Sequence, residues 1–207
     1  DTTEVQLLAA DEPLGVFKPF LPREVGHEYE IDHAAGRFFV RSNWQAQNFR
    51  VLTVDTEHTA DKSAWKEVIP HREDAMVRDI QAFDNWLVVG ERKDGLRQVR
   101  VMAHDGSVDR YLEGVEEAYV MWPDQNVSTD TDTIRYGFSS MVTPDQVWEI
   151  DLKTGQSRLL KADRVLGGFS SDNYRSGRMM ITARDGTNVP VSLAYHKDTA
   201  LDGSAPA

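Results

Sequence analysis

The stretch that decides the fold runs from Met76 to Leu112 and reads MVRDIQAFDNWLVVGERKDGLRQVRVMAHDGSVDRYL. It contains four short segments separated by turn residues such as Lys93-Asp94-Gly95 and Asp105-Gly106. The first segment alternates apolar and polar residues, the second is an apolar run, and the last is short and partly charged. This pattern predicts four consecutive β-strands, the last of them an outer edge strand.

The same plan recurs on both sides of this stretch, with a period of roughly 40 to 50 residues that is typical of β-propeller blades. The upstream strands are predicted at Glu28–Asp32, Arg37–Arg41, Phe49–Val54 and Trp65–Ile69. The downstream strands are predicted at Ala118–Trp122, Thr133–Phe138, Gln146–Asp151 and Ser157–Leu160. The periodicity favours a propeller, while a β-sandwich or an irregular meander remains the alternative.

The predicted fold class is therefore all-β: a partial propeller of about three four-stranded blades, at roughly residues 25–70, 75–113 and 116–162. An additional short strand at Glu4–Leu8 is assigned to the outside of a preceding blade, so that the propeller part spans residues 1–172.

Residues 173–207 break the pattern. Arg178–Arg184, the turn Asp185-Gly186 and Asn188–His196 predict one long β-hairpin. Because a two-stranded hairpin is only marginally stable alone, we expect it to belong to a sheet whose other strands lie elsewhere.

Composition excludes several kinds of site. The chain has 207 residues and no cysteine, which rules out disulfides, cysteine-ligated metals and cysteine nucleophiles within it. The net charge of -11 argues against nucleic acid as a partner, because phosphate binding needs clustered Lys and Arg. It is compatible with cationic ligands, although solubility is the simpler explanation. No apolar run approaches the roughly 20 residues of a membrane span, and the polar start, Asp1 to Glu4, does not resemble a secretory signal.

No catalytic, cofactor-binding or metal-binding residue is predicted. Gly137-Phe138-Ser139 and Gly168-Phe169-Ser170 each lack the closing glycine of a G-x-S-x-G nucleophile motif, so we interpret both serines as turn residues. The six histidines show no metal-binding spacing, and Asp124–Asp132 lacks the spacing of a calcium loop.

One acidic cluster is a candidate for contact with substrate. Alternation along the first strand of the first blade sends Glu28, Glu30 and Asp32 to one face and Tyr29 and Ile31 to the other. If that strand lines a propeller channel, these carboxylates could meet a cationic peptide. A merely solvated strand face is the simpler interpretation.

Particular segments resemble a known family. Arg135–Asp145 and Glu149–Gly155 look like the last propeller blade of the oligopeptidase B group in the prolyl oligopeptidase family of serine peptidases. The hairpin sequences Thr182–Gly186 (TARDG) and Val189–Leu193 (VPVSL) are the most specific part of this resemblance. In that family the corresponding segment leaves the propeller and opens a catalytic α/β-hydrolase domain.

The resemblance, which extends from about Glu4 to His196, implies a seven-bladed propeller that caps a serine hydrolase and admits short, unstructured peptides. Members of the oligopeptidase B group cleave after Arg and Lys. The family's Ser, Asp and His lie beyond the matched region, so this chain should be inactive by itself, and no cofactor is implied. Implied partners are short basic peptides, the remaining blades and the catalytic domain. The family suggests a cytoplasmic location, with the periplasm as the alternative. A stand-alone propeller that binds a partner without catalysis remains the alternative function.

Overall fold

The computed structural model describes residues 1–205, and within them β-strands dominate. Two short 3-10 turns, Lys62–Ala64 and Ser171–Asn173, are the helical segments of that range. In chain order the strands are β1 (Gln6–Leu7), β2 (Lys18–Pro19), β3 (Tyr29–Ala34), β4 (Arg37–Ser42), β5 (Arg50–Asp55), β6 (Lys66–Ile69), β7 (Ala75–Ala82), β8 (Trp86–Lys93), β9 (Leu96–Ala103), β10 (Asp109–Tyr111), β11 (Tyr119–Pro123), β12 (Thr133–Ser140), β13 (Gln146–Asp151), β14 (Ser157–Ala162), β15 (Tyr174–Thr182) and β16 (Asn188–His196). The predicted all-β class is confirmed.

Strands β3 to β6 form an antiparallel four-stranded sheet, here called blade I. Its first hairpin turns at Ala35-Gly36, where both residues have positive φ angles of 51° and 71°. Such a two-residue turn matches the twist of the strands and fixes their register. It places Glu30 opposite Arg41 on the neighbouring strand.

Strands β7 to β10 form blade II and strands β11 to β14 form blade III, each with antiparallel neighbours. The two blades are joined into one sheet of eight strands, because β11 pairs in parallel with β9 at Val120 and Arg97. The periodicity did not predict this connection. It forms because the short β10 covers only Arg100–Met102 of β9 and leaves the earlier residues of that edge open.

The predicted strand at Glu4–Leu8 is shortened to β1, which pairs with β2. Strand β2 was not predicted, since Lys18-Pro19 is too short to show any alternation. The backbone N–H of Phe20 extends the pairing by donating to the carbonyl of Val5 over 2.9 Å.

Apolar clusters between neighbouring blades form the core. Strand β8 is buried on both faces: Leu87 and Val89 pack in the cluster with blade I, whereas Trp86 and Val88 pack in the cluster with blade III. Full burial of such side chains stabilises the fold by roughly 1.5 to 3 kcal/mol each. This position explains why the second strand of the middle repeat is an uninterrupted apolar run.

The terminal hairpin pairs β15 with β16 from Tyr174 opposite His196 to Thr182 opposite Asn188. It forms a sheet of its own. Several of its apolar side chains remain between 38% and 53% exposed, namely Met179, Met180, Ile181, Val189 and Leu193. Within residues 1–205 there is no helix of the length and hydrophobicity that a membrane crossing requires.

Candidate functional site

The first strands of the three blades, β3, β7 and β11, are linked at one end by polar contacts. Asp32 on β3 accepts a hydrogen bond from the backbone N–H of Ala82 over 2.7 Å. Gln81 in turn donates to the carbonyl of Asp124, just after β11, over 2.9 Å. Asn126 donates to the side-chain oxygen of Gln81 over 2.9 Å. These contacts hold the three first strands side by side, which is the arrangement of strands that surround a propeller channel.

The three predicted acidic residues have different surroundings. Glu28 precedes β3, and its backbone N–H donates to the side-chain oxygen of Asn43 over 2.9 Å. Asp32 is partly buried and satisfied by Ala82 and by the backbone N–H of His33. Glu30 is exposed and, among the described residues, makes no side-chain hydrogen bond or ion pair. Of the two carboxylates on β3, Glu30 therefore has the one that is available to a ligand.

A second carboxylate, Asp79 on β7, belongs to the same region and was missed by the sequence analysis. Its Oδ1 atom lies 2.2 Å from where a Cβ on Gly90 would be, so the side chain lies directly over that glycine. A bulge at Arg78 shifts the register between Val77 and Asp79. The sequence carries no local signal for this bulge, since strict alternation would assign these side chains to other faces.

Arg41 on β4 stands between the two acidic strands. Its Nε donates to the carbonyl of Val77 over 2.9 Å, and its guanidinium lies 3.6 Å from the ring centroid of Phe49. The hairpin turn after β3 could have revealed Arg41 as the neighbour of Glu30, because that turn sets their pairing.

The pKa values of this group are shifted because neighbouring residues displace part of the hydration of its charged side chains. Loss of hydration raises the pKa of Glu30, with the carboxylate of Asp79 adding to the rise and the guanidinium of Arg41 opposing it. Loss of hydration also raises the pKa of Asp79, against the opposing positive charges of Arg97, Arg78 and Arg41. The guanidinium of Arg41 has a lowered pKa for the same reason. The arrangement is a mixed-charge surface with two unpaired carboxylates.

A Ser-His-Glu sequence of contacts occurs elsewhere in blade I, and it is structural. The hydroxyl of Ser42 lies 2.7 Å from Nε2 of His27, and Nδ1 of that ring lies 3.8 Å from Glu24. Ser42 is 0% exposed and already accepts a hydrogen bond from the backbone N–H of Trp44. A nucleophile must reach its substrate, so this buried hydroxyl cannot act as one.

The buried carboxylate of Glu91 is a further structural group. Its side chain is fully buried, and it receives hydrogen bonds from Arg72 and Tyr111, with Arg100 at 3.4 Å. Burial and the bond to Glu91 raise the pKa of Tyr111. Because Arg72 lies between β6 and β7 while Glu91, Arg100 and Tyr111 lie on blade II, the cluster ties the segment between blades I and II to blade II.

The two serines of the partial nucleophile motifs also have no catalytic partner. Ser139 donates to the carbonyl of Thr143 over 3.4 Å, and Ser170 precedes the second 3-10 turn without a side-chain capping bond. Across residues 1–205, no three His, Asp or Glu side chains are grouped so as to hold a metal ion.

Comparison with known proteins gives the family. The model of the prolyl oligopeptidase N-terminal β-propeller domain matches residues 1–163. The chain belongs to the prolyl oligopeptidase family. The match ends just after β14, so the terminal hairpin lies outside the family's propeller model. The predicted propeller fold is thereby confirmed, and the β-sandwich alternative is excluded.

Individual members of the prolyl oligopeptidase family align along almost the whole chain. Dipeptidyl aminopeptidase BI of Pseudoxanthomonas mexicana is 41% identical over 207 residues, which are 99% of this chain and 28% of that protein. Protease 2 of Moraxella lacunata is 25% identical over 205 residues, 99% of this chain and 29% of that protein. The structure of oligopeptidase B from Leishmania major superposes with a TM-score of 0.83 at 27% identity, covering 97% of this chain and 30% of that one.

The chain thus spans less than a third of the length of these relatives. Its residues 1–163 correspond to the N-terminal propeller domain of the family.

Proposed function

We propose that this chain is the propeller part of a serine-type oligopeptidase, in which it controls the access of short basic peptides to the active site. The observation that carries the proposal is the pair of carboxylates, Glu30 and Asp79, on the first strands of blades I and II. Neither makes an ion pair within 4 Å among the described residues. A negative field at a channel wall raises the local concentration of cationic peptides.

The nearby arginines shape this preference. Arg41, Arg78 and Arg97 offset part of the negative charge around Asp79. These arginines weaken the attraction of a cation to Asp79, whereas Arg41 is the one cation that acts on the pKa of Glu30. Of the two carboxylates, Glu30 would therefore attract a cation more strongly. Such alternation of charge would select peptides by the positions of their basic residues as well as by their net charge.

The gating role is supported by two structures of relatives. Oligopeptidase B from Trypanosoma brucei has been described in a closed form with bound antipain, at a TM-score of 0.81 and 28% identity to this chain. A prolyl endopeptidase structure, described with a role for inter-domain dynamics in catalysis and specificity, superposes with a TM-score of 0.75 at 27% identity. In this proposal the propeller and a hydrolase domain separate to admit peptide.

A second candidate is the release of dipeptides from peptide N-termini. It is favoured by the 41% identity to a protein named dipeptidyl aminopeptidase BI. An enzyme of that kind must recognise a free α-ammonium group, which is also a cation. The carboxylates of Glu30 and Asp79 are therefore compatible with either specificity.

Two chromogenic substrates distinguish these candidates in the full-length protein. One carries an N-terminally blocked pair of arginines, and the other carries a dipeptide with a free amine. Faster turnover of the blocked substrate supports the oligopeptidase, whereas turnover of the free-amine substrate alone supports the aminopeptidase. Absence of hydrolysis of both, together with peptide binding, would favour a non-catalytic binding module.

The proposal includes a cytoplasmic location, as expected for the oligopeptidase B group. Cell fractionation with a periplasmic marker tests it, and recovery with that marker would contradict it.

A further inference from the structure

The terminal hairpin touches the blades through a small polar joint around Glu116, in the connection between blades II and III. The two carboxylate oxygens of Glu116 have different donors. Thr143, in the turn between β12 and β13, donates to one oxygen over 2.5 Å. Ser176 on β15 donates to the other over 2.6 Å. One side chain therefore bridges blade III and the hairpin.

The blade side of this joint is rigid. Ser140 accepts hydrogen bonds from the backbone N–H groups of Val142 and Thr143, over 3.0 Å and 2.8 Å. The backbone N–H of Ser140 closes the turn by donating to the carbonyl of Thr143 over 3.0 Å. With Thr143 fixed in this way, the orientation of the Glu116 carboxylate is set before the hairpin binds to it.

Two further contacts flank the bridge. Glu117 accepts from the backbone N–H of Arg178 over 3.2 Å. On the other side, the ring of Pro190 rests on Gly95, whose Cβ position would lie 2.8 Å from the proline Cγ. Gly95 also has a φ of +82°, which disfavours any side chain at that position. These contacts place the joint at the Glu116-Glu117 pair and at the glycine turn between β8 and β9.

The segment that connects blade III to the hairpin is loosely packed. It contains Gly167 and Gly168, with φ angles of +91° and +81° and nothing within 4 Å of either Cβ position. Leu166 beside them is 82% exposed. Because the linker makes few contacts of its own, the orientation of the hairpin depends on the polar joint.

We propose that Glu116 is a positioning residue that latches the hairpin onto blade III. Its carboxylate holds β15 in one orientation through Ser176, and loss of that bond lets the hairpin pivot at Gly167-Gly168. The consequence for catalysis rests on the proposed function and on the expectation, from the family resemblance, that this hairpin opens the hydrolase domain. The latch would then set how tightly that domain closes over the propeller.

A distance measurement in the full-length protein tests the latch directly. Spin labels are attached at Val127→Cys, which replaces a residue 87% exposed on blade III, and at Arg184→Cys, on the exposed hairpin turn. These 207 residues contribute no competing cysteine. The expected result is a narrow distribution of distances in the parent protein and a broader one in Glu116→Ala.

Matched variants make the test specific. Glu113→Ala removes an exposed carboxylate from the same connection, one without a side-chain partner among the described residues, and should leave the distribution narrow. Ser176→Ala should reproduce the broadening, and Glu116→Gln, which keeps one acceptor, should be intermediate. A distribution in Glu116→Ala as narrow as in the parent, or equal broadening in Glu113→Ala, would overturn the proposal.

Hydrogen exchange adds a second readout. The Arg178 amide is bonded across the joint, so undocking should speed its exchange roughly tenfold in Glu116→Ala, the scale set by one charge-assisted hydrogen bond. An unchanged rate would count against the latch. Peptidase assays on the same variants should show a changed KM for longer peptides with a smaller change in kcat. If the full-length protein hydrolyses no peptide, the proposed function fails, while the distances and exchange rates still decide the latch.

Discussion

The carboxylate of Asp79 occupies the space where a side chain on Gly90 would begin, with Oδ1 2.2 Å from that Cβ position. The two residues are paired on adjacent strands, immediately after the bulge at Arg78. A close approach of this kind requires glycine, because any Cβ would force the carboxylate to move.

Gly90→Ala should therefore destabilise the protein by roughly 1 to 3 kcal/mol, as overpacking in a filled site does. Gly177→Ala is the matched control, since this strand glycine has 4.0 Å of clearance to the ring of Tyr195. The control should change the free energy of unfolding by less than about 1 kcal/mol. Urea denaturation measures both, and equal effects would show that the contact with Asp79 is unimportant.

We expect Asp32 to stabilise the fold and Glu30 to have a functional role with little effect on stability. Asp32→Ala leaves the N–H of Ala82 without its partner, so we expect a loss of about 1 to 3 kcal/mol in unfolding free energy. Glu30→Ala removes an exposed side chain and should stay within about 0.5 kcal/mol. Denaturation of the two variants side by side checks this, and a larger loss in Glu30→Ala would refute the assignment.

Removing the buried Glu91 carboxylate should be the most damaging of the charge changes considered. Glu91→Ala leaves Arg72 and Arg100 without their shared buried partner, for which about 3 to 5 kcal/mol is typical. The control Glu149→Gln breaks a surface pair with Arg158 and should cost below about 1 kcal/mol. The measurement is again equilibrium unfolding, and a mild effect of Glu91→Ala would mean that the cluster is dispensable.

Stability should fall in mild acid because of His27. Burial lowers the pKa of His27 below 6.5, the ordinary histidine value, with the charge of Lys62 contributing and Glu24 opposing. His27 is therefore protonated more readily in the unfolded chain than in the folded one. The free energy of unfolding should fall as pH drops below about 6.5. His27→Gln, which can still bond to Ser42, should lose less stability between neutral and acidic pH. Parallel pH dependences in the two proteins would exclude this role for His27.

The proposed contact with cationic peptide can be tested in the full-length protein. The double variant Glu30→Gln, Asp79→Asn should raise KM for a dibasic peptide by about tenfold, while a neutral peptide should change by less than about twofold. The effect should weaken with added salt, because exposed charges are screened. The double variant Glu113→Gln, Glu149→Gln also removes two negative charges and serves as the control for net charge. Equal changes for the basic and neutral peptides would rule out charge recognition at this surface.

Much of the fold was predictable because blades are built from local rules. The two-residue turn at Ala35-Gly36 and the alternation in β3 place Glu30 opposite Arg41, and the apolar run at Trp86–Val89 marks a strand buried on both faces. The short pair of β1 with β2 escaped prediction, since two residues carry no periodicity.

The candidate site was predicted in part. Alternation identified Glu30. It also identified Asp32, although the carboxylate of Asp32 already accepts a hydrogen bond from the backbone N–H of Ala82. Asp79 was missed because the bulge at Arg78 changes the face of every later side chain on that strand. A bulge depends on how two strands pair, and the sequence of one strand alone does not determine that pairing.

The sequence by itself determined the strands, their repeat and the hairpin registers, and its TARDG and VPVSL segments pointed to the family. These features depend on alternation, turn chemistry and short motifs, all of which act within a few residues. The tertiary structure alone decided which polar groups meet the carboxylates: the backbone N–H of Ala82 with Asp32, Arg72 with Glu91, and the hydroxyl of Ser176 with Glu116. Those partners lie 50, 19 and 60 residues apart, so their meeting depends on how whole blades and the hairpin are placed against one another.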